Sequence, residues 1–280
     1  MRVFNETVAY LLDKDKQEAR RRLALLARIQ DPATIAFLER VNFRPGWLCL
    51  EVGAGLGTIA SWLRERTTPG GRVVATDIDT TFIEPLRSPA FEVRRHDLVT
   101  EELENDRFDL VHARNVLIHI PERELALEKL AGAVKPGGFL VIEEADRVTD
   151  GPDPTAPDEM RTLYEKVVGE IYAFVERAGL DPSFGGKLFG LVQRLGFHDV
   201  VAEGRAYFFR GNPHEDASAH VPAFVELKDP IIAQGNVTPA EFDGFVALTR
   251  NPGFAWREGL IVSCRGRKPL NGSASRPLLS

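Results

Sequence analysis

The run Leu48-Cys-Leu-Glu-Val-Gly-Ala-Gly-Leu-Gly-Thr58 decides the fold. The apolar residues Trp47, Leu48, Leu50 and Val52 give way to three glycines, Gly53, Gly55 and Gly57, and apolar residues resume at Ile59, Ala60, Trp62 and Leu63. This is the pattern of a buried strand, a tight turn and the first turn of a helix. Glycine permits positive φ in the turn and lets a ligand approach the backbone without meeting a Cβ. The start of the helix offers free N–H groups and a partial positive end to an anionic group. Further on, Arg72-Val-Val-Ala-Thr76 ends at Asp77. An acid at the end of the second strand can accept hydrogen bonds from both hydroxyls of a ribose. Together these features predict a nucleoside-containing cofactor at the carboxyl edge of a parallel sheet.

The spacing bears on which cofactor. A dinucleotide fingerprint is Gly-x-Gly-x-x-Gly, with its third glycine where this chain has Thr58. Here the spacing is Gly-x-Gly-x-Gly preceded by Glu51, which resembles the first motif of class I S-adenosylmethionine-dependent methyltransferases. A nicotinamide-dependent reductase is disfavoured by the same spacing.

The bulk composition is that of a globular chain. Its 280 residues suit one large domain or a domain with a cap. A hydrophobic content of 44% can build a sizeable core, and a net charge of −6 gives no global attraction to nucleic acid. The run Arg20-Arg21-Arg22 reads as a solvated helix face. Cys49 and Cys264 each sit in an apolar run and read as buried free thiols in neighbouring strands, with no metal spacing. Met1 to Asp15 has no long apolar core of a signal peptide, and no apolar segment reaches membrane-spanning length. The expected compartment is the cytoplasm.

Along the chain, Lys14 to Ile29 reads as helix, and Asp31-Pro32 as the cap and first turn of a second helix running to about Val41. Strands are predicted at 47–52, 72–76, 91–95, 108–112 and 138–143, with helices near 57–66, 80–87 and 121–134 and a poor one around 100–104. Such alternation means a parallel sheet with right-handed crossovers. Thr67-Thr-Pro-Gly-Gly71 and Lys135-Pro-Gly-Gly138 are the turns leading back into strands. Helices are then expected from Asp158 to Ala178 and from about Lys187 to Leu195, with strands at His198 to Arg210 and Glu258 to Arg265. Thr238-Pro-Ala-Glu241 is a capping box opening a helix to about Thr249.

These pieces resemble a Rossmann-like α/β fold with a seven-stranded, mostly parallel sheet whose last strand is antiparallel. The expected organisation is an N-terminal helical lid over 1–43, a cofactor-binding core over 44–210 containing the helical segment 146–197, an insert or cap over 211–257, the last core strand at 258–266 and a disordered tail over 267–280. The resemblance extends over about 46–145 and more weakly to 265. It implies S-adenosyl-L-methionine as cofactor. Glu51, Gly53, Ala54 and Gly55 fall where its methionine end is held, Asp77 on the ribose and Ile78 beside the adenine. Asp97, followed by Leu98, falls where an acid meets the adenine amino group; alone, it reads as a turn residue. Arg114 and Asn115 follow the fourth strand, where the backbone passes the methionine portion; Arg114 pairs either with a cofactor carboxylate or with a surface acid. Tyr10 is a lid residue or a packed core tyrosine.

Methyl transfer needs the methyl carbon in line with a nucleophile, and alignment supplies much of the acceleration. An oxygen acceptor must also lose a proton. His119 is the first candidate for base or orienter, against a structural histidine bonded to a neighbouring loop. Of Glu143, Glu144 and Asp146, one could face the pocket and at least one faces solvent; Glu144 is taken as the second catalytic candidate. His96, His112 and His198 read as core or rim histidines, and the loop His214-Glu215-Asp216 with His220 lacks the spacing of a metal site. The expected acceptor is a small, apolar or aromatic organic molecule methylated on oxygen, in secondary metabolism, with the late aromatic residues Phe174, Phe184, Phe189, Phe208, Phe209, Phe224, Phe254 and Trp256 as the hint. Nucleic acid and membrane are not expected partners, and a homodimer is possible. The alternatives are a protein of this fold that binds the cofactor for a non-methylating reaction, or a non-catalytic regulatory subunit.

Overall fold

The computed structural model describes residues 16–214 and 218–270. Tyr10 and the tail from 271 onward lie outside the described residues. The chain divides into two compact units. Of the described residues, a sheet unit takes 27–145, 184–204 and 261–270, and a helical unit takes 16–26, 146–183 and those within 205–260.

The strands are β1 (Leu48–Val52), β2 (Arg72–Asp77), β3 (Phe91–Arg95), β4 (Phe108–Arg114), β5 (Val134–Asp146), β6 (Gly151–Pro152), β7 (His198–Arg210) and β8 (Ala255–Arg267). They form one sheet in the order β3-β2-β1-β4-β5-β8-β6, with β7 also paired to β8. The sheet therefore has eight strands rather than seven, the addition being the two-residue β6. The pairs from β3 through β5 are parallel, as the alternation of strands and helices predicts. The last strand runs antiparallel to β5: Lys268 N–H donates to Gly138 O at 2.9 Å while Ser263 meets Glu143.

In the sheet unit, alternate strand residues feed two cores. Leu50, Val52, Val74, Val111 and Ala113 pack with α3 (Arg123–Ala133) and α5 (Phe184–Arg194). Cys49, Val73, Ala75, Leu110 and Val141 pack with Phe37 and Leu38 of α1 (Lys16–Leu38) and Ile59, Ala60 and Leu63 of α2 (Thr58–Thr67). Parallel strands covered on both faces read as near-continuous apolar runs, which is why they were legible.

Several local expectations are corrected. The first helix does not stop at Asp31-Pro32; α1 runs through Pro32. Pro32 removes one helical hydrogen bond, but Gln30, Asp31 and Thr34 are each bonded to the ends of sheet strands, and these contacts hold the helix across the gap. The segment 80–87 is two 3-10 turns, Thr80–Phe82 and Glu84–Leu86, because Pro85 has no N–H with which to propagate a helix. No helix forms over 100–104. Strand β5 begins at Val134 rather than at 138, and its register against β4 shifts between Phe108 and Leu110, so Lys135-Pro-Gly-Gly138 is an irregularity within the strand. Cys49 and Cys264 are both buried and free, but β4 and β5 separate their strands, so they are not on neighbours.

The helical unit is built on α4 (Asp158–Arg177), with α6 (His220–Glu226), α7 (Lys228–Ile232) and α8 (Pro239–Arg250). Among the described residues of 211–257 there are thus three helices, where the sequence pattern marks one. The capping box is formed: Thr238 and Glu241 exchange side-chain bonds with each other's backbone N–H. Tyr164, Val167 and Ile171 of α4 meet Phe242, Phe245, Phe254 and Trp256 in one core. Phe174, Phe209 and Phe224 belong to the same cluster. Most of the late aromatic residues are therefore spent on packing, and Phe184 lies in the sheet-unit core; Phe189 and Phe208 are exposed.

Candidate active site at the carboxyl edge of the sheet

The turn after β1 is held by its own backbone. Gly53, Gly55 and Gly57 have φ of 65°, 54° and 74°, the left-handed region that glycine enters freely. Ala54 N–H donates to Thr76 O at 3.0 Å and Gly57 N–H to Ala54 O at 2.8 Å. At two of the three positions the chain's own packing, rather than an approaching ligand, adds a second reason for glycine beside the positive φ. A Cβ on Gly53 would overlap the Cγ2 of Val116, and one on Gly57 would meet Leu86 and Ile83, so the chain itself excludes a side chain there.

Asp77 closes the turn from the next strand. Its Oδ2 accepts Gly55 N–H at 2.9 Å and its Oδ1 accepts Asp79 N–H at 3.1 Å. Burial raises its pKa, against the pull of these donors. Each carboxylate oxygen can accept more than one hydrogen bond, so both keep capacity for a ligand hydroxyl. The next residue, Ile78, is 62% exposed, an apolar side chain left uncovered beside the acid. Asp77 O also receives His96 N–H at 3.0 Å, which brings the end of β3 alongside. There Asp97 Oδ1 accepts Val99 N–H at 2.9 Å, the turn role that its residue type alone suggested, while Leu98 is buried in the core. Burial opposes the Asp97 charge, but the Val99 and Thr100 donors outweigh it and lower the pKa.

A buried polar layer lies on the α1 and α2 face where the strands end. Glu51 on β1 sits opposite His112 on β4 in register, and Glu51 Oε2 lies 2.6 Å from His112 Nδ1. Their side chains are 5% and 0% exposed. Arg114 donates to Asp31 at 2.7 Å and to Thr34 at 2.8 Å. Thr34 in turn donates to Glu143, whose other oxygen accepts Ser263 Oγ–H at 2.6 Å. Asn115, with φ of 54°, donates from Nδ2 to Gln30 at 2.8 Å. Arg114 is thus paired with an acid of its own chain, but Asp31 is largely buried rather than the surface acid of the sequence reading. The formal charges of this layer are three carboxylates, Glu51, Asp31 and Glu143, against one guanidinium, Arg114, with His112 as the titratable member. Of these residues, Gln30, Asp31, Thr34 and Ser263 were not foreseen as site residues. Only the interruption of the apolar β4 run by His112 and Arg114 signalled a polar layer, and the helix contributing to it was not predictable without the fold.

The turn after β4 carries the two catalytic candidates. His119 ends a 3-10 turn, Leu117–His119, and is exposed. Glu144 is fully buried beneath that turn and accepts N–H groups of Val116 at 3.0 Å, Leu117 at 2.6 Å and Ile118 at 3.4 Å. Burial pushes its pKa up to about 7 despite those donors. Contrary to expectation, none of Glu143, Glu144 and Asp146 is exposed; Glu143 and Glu144 are 1% and 0% accessible.

The helical unit has its own polar cluster. Asp150 accepts the hydroxyls of Tyr164 at 2.7 Å and Tyr172 at 2.6 Å. His220 Nδ1 lies 2.7 Å from Glu258, and Arg147 reaches His220 Nε2 at 2.5 Å. A cavity of about 240 Å³ in this unit is lined in part by Val148, Gly169, Tyr172 and Pro182, and it contains no predicted site residue. Glu215 and Asp216 lie outside the described residues.

Residues 50–140 match the family model described as a methyltransferase domain. An uncharacterized 37.1 kDa protein in transposon Tn4556 of Streptomyces fradiae is 32% identical over 52% of this chain and 46% of its own length. A phosphoethanolamine N-methyltransferase of Triticum aestivum is 27% identical over 61% of this chain and 32% of its own, and the methyltransferase GfsG of Streptomyces halstedii is 29% identical over 56% and 60%. The chain thus spans less than half the length of the first two of these relatives. Among solved structures, a Bacillus halodurans protein described as a methyltransferase shares the fold with a TM-score of 0.53 at 16% identity, covering 84% of this chain and 98% of that one. Residues 50–140 thus carry a methyltransferase domain, and over them the chain is similar to S-adenosylmethionine-dependent methyltransferases of class I fold.

S-adenosyl-L-methionine is the cofactor of this family, and the site is chemically suited to it. A layer with more carboxylates than cations suits a ligand bearing a sulfonium and an ammonium. A dinucleotide would instead bring a doubly charged pyrophosphate to the same turn. The spare acceptor capacity of Asp77 and the uncovered Ile78 suit a ribose and a base.

Proposed function

We propose that this chain transfers the methyl group of S-adenosylmethionine to a small organic acceptor, with oxygen as the favoured nucleophile and secondary metabolism as the setting. The observation that carries the reading is the carboxylate-rich layer of Glu51, Asp31 and Glu143 beside the glycine turn. In this reading Gly53, Ala54, Gly55 and Glu51 hold the methionine end, Asp77 the ribose, Ile78 the base, and Asp97 with Leu98 the adenine edge. Arg114 and Asn115 act by fixing α1 at the end of β4. When bound, the cofactor supplies an electrophilic methyl group. The chain aligns the acceptor, excludes water and removes the acceptor's proton.

His119 is the proposed base, since it is exposed on the turn after β4. Glu144 is proposed to act by holding that turn in place, because its carboxylate is committed to three backbone N–H groups. The apolar character of the acceptor has less support than its small size, as most late aromatic residues close on one another in cores. An amine acceptor is the second reading, favoured by the similarity to a phosphoethanolamine N-methyltransferase.

The test is methyl acceptance from labelled S-adenosylmethionine by a panel of phenols, polyketide-like alcohols, small amines, peptides and tRNA, with product masses. Methylated phenol or alcohol is expected. Methylation of amines alone would select the second reading, and activity on RNA alone would end both. His119→Ala should lower turnover far more than cofactor affinity; a fully active variant removes it from the base role.

A further inference from the structure

The layer contains a group that the methyl-transfer reading does not use. His112 is fully buried, its Nδ1 lies 2.6 Å from Glu51, and its Nε2 is buried with no hydrogen-bond partner. We propose that His112 is a positioning residue for Glu51 and that it surrenders its Nε2 proton when the cofactor's ammonium group reaches that carboxylate. The proposal rests on the assignment of S-adenosylmethionine to this site.

The argument is one of charge. Glu51 and Glu143 both act on His112, from β1 and β5, and Arg114 acts on it from its own strand. Arg114 is already paired with Asp31 of α1, so it leaves the two glutamates uncompensated. An imidazolium at His112 supplies the missing positive charge when no cation is bound. Burial disfavours that charge, but Glu51 and Glu143 overcome it, and the His112 pKa is raised above its ordinary value. A ligand ammonium beside Glu51 makes the imidazolium redundant, and two cations around one carboxylate repel each other.

The proton that leaves is identified by geometry. Nδ1–H donates to Glu51 in both states, so that bond keeps the carboxylate aimed. Nε2–H has no acceptor, and a buried donor without an acceptor is costly. Loss of the Nε2 proton therefore leaves a neutral imidazole in the one tautomer that still holds Glu51, and the proton passes to solvent. Binding and protonation are then linked: affinity rises with pH below the His112 pKa, by up to about tenfold per pH unit, and levels off above it.

The experiment uses the full chain and S-adenosylhomocysteine, which carries the same ammonium. Titration calorimetry in buffers of different ionisation enthalpy counts protons released, near pH 6.5, where an α-amino group of pKa about 7.7–8.0 stays charged. Release of a substantial fraction of one proton is expected, together with a shift of the His112 Nε2 resonance to that of an unprotonated imidazole nitrogen. His112→Asn should abolish the proton release and flatten the pH dependence. If that variant does not fold, the wild-type proton count and the Nε2 resonance still decide. Binding with no proton release and no change at Nε2 would overturn the proposal while leaving the methyltransferase reading intact. Failure of S-adenosylhomocysteine to bind at all would overturn both.

Discussion

Arg114 and Asp31 form an ion pair at 2.7 Å with side chains only 13% and 18% exposed, so the end of β4 is locked to the middle of α1 by charge. Breaking such a pair from one side leaves a desolvated charge without a partner. Arg114→Ala should therefore destabilise the fold by about 2 kcal/mol, less than a fully buried pair because some solvent remains. Chemical denaturation measures it. Arg114→Lys should recover only part, since one ammonium cannot span both Asp31 and Thr34 as the guanidinium does.

Glu144 makes stability depend on pH in an unusual direction. Its folded pKa of about 7 lies above its ordinary value of 4.5, so the folded state binds the proton more tightly than the unfolded one. Its contribution is fully present below pH 4.5 and is lost as pH rises through about 7. The loss is on the order of 3 kcal/mol across that window. Comparing wild type with Glu144→Gln at each pH isolates it: the wild type should fall relative to the variant between those two pH values. Parallel curves would show that the three N–H donors hold the carboxylate charged throughout.

Gly53→Ala tests two causes at once. The new methyl would overlap Val116, and φ of 65° is strained for any residue with a Cβ. The backbone cost alone is roughly 1–2 kcal/mol. The variant should lose more than that in thermal or chemical denaturation, and adding Val116→Ala should restore the excess but not the backbone part.

Asp77→Ala should weaken S-adenosylhomocysteine binding by about 1–3 kcal/mol through lost hydrogen bonds. Because Asp77 also holds Gly55 and Asp79, Asp77→Asn, which keeps one acceptor, should lose less. Titration calorimetry compares them. Unchanged affinity in the alanine variant would remove the ribose role.

Those residues show where sequence reading reaches and where it stops. Gly53 to Asp77 were legible because strand, turn and acid lie close in sequence and their chemistry is local. The parallel order was legible from alternation. The pairings of Arg114 with Asp31, Asn115 with Gln30 and Glu51 with His112 join residues 83, 85 and 61 positions apart, and no local pattern encodes such contacts. Pro32 illustrates the conflict: its local rule says a helix starts there, and three tertiary contacts overrule it. Glu144 shows a second limit: its place at the strand edge is read from sequence, but the backbone N–H groups its oxygens accept are not.

The placement of β8 beside β5 has a consequence for how the protein is made. A ribosome releases β1 through β5 long before residues 255–267, so the nascent sheet carries a bare β5 flank while the intervening segments are still being synthesised. Unpaired strand edges invite association with other chains. The β5 flank is covered once the thirteen-residue β8 has emerged and paired with it.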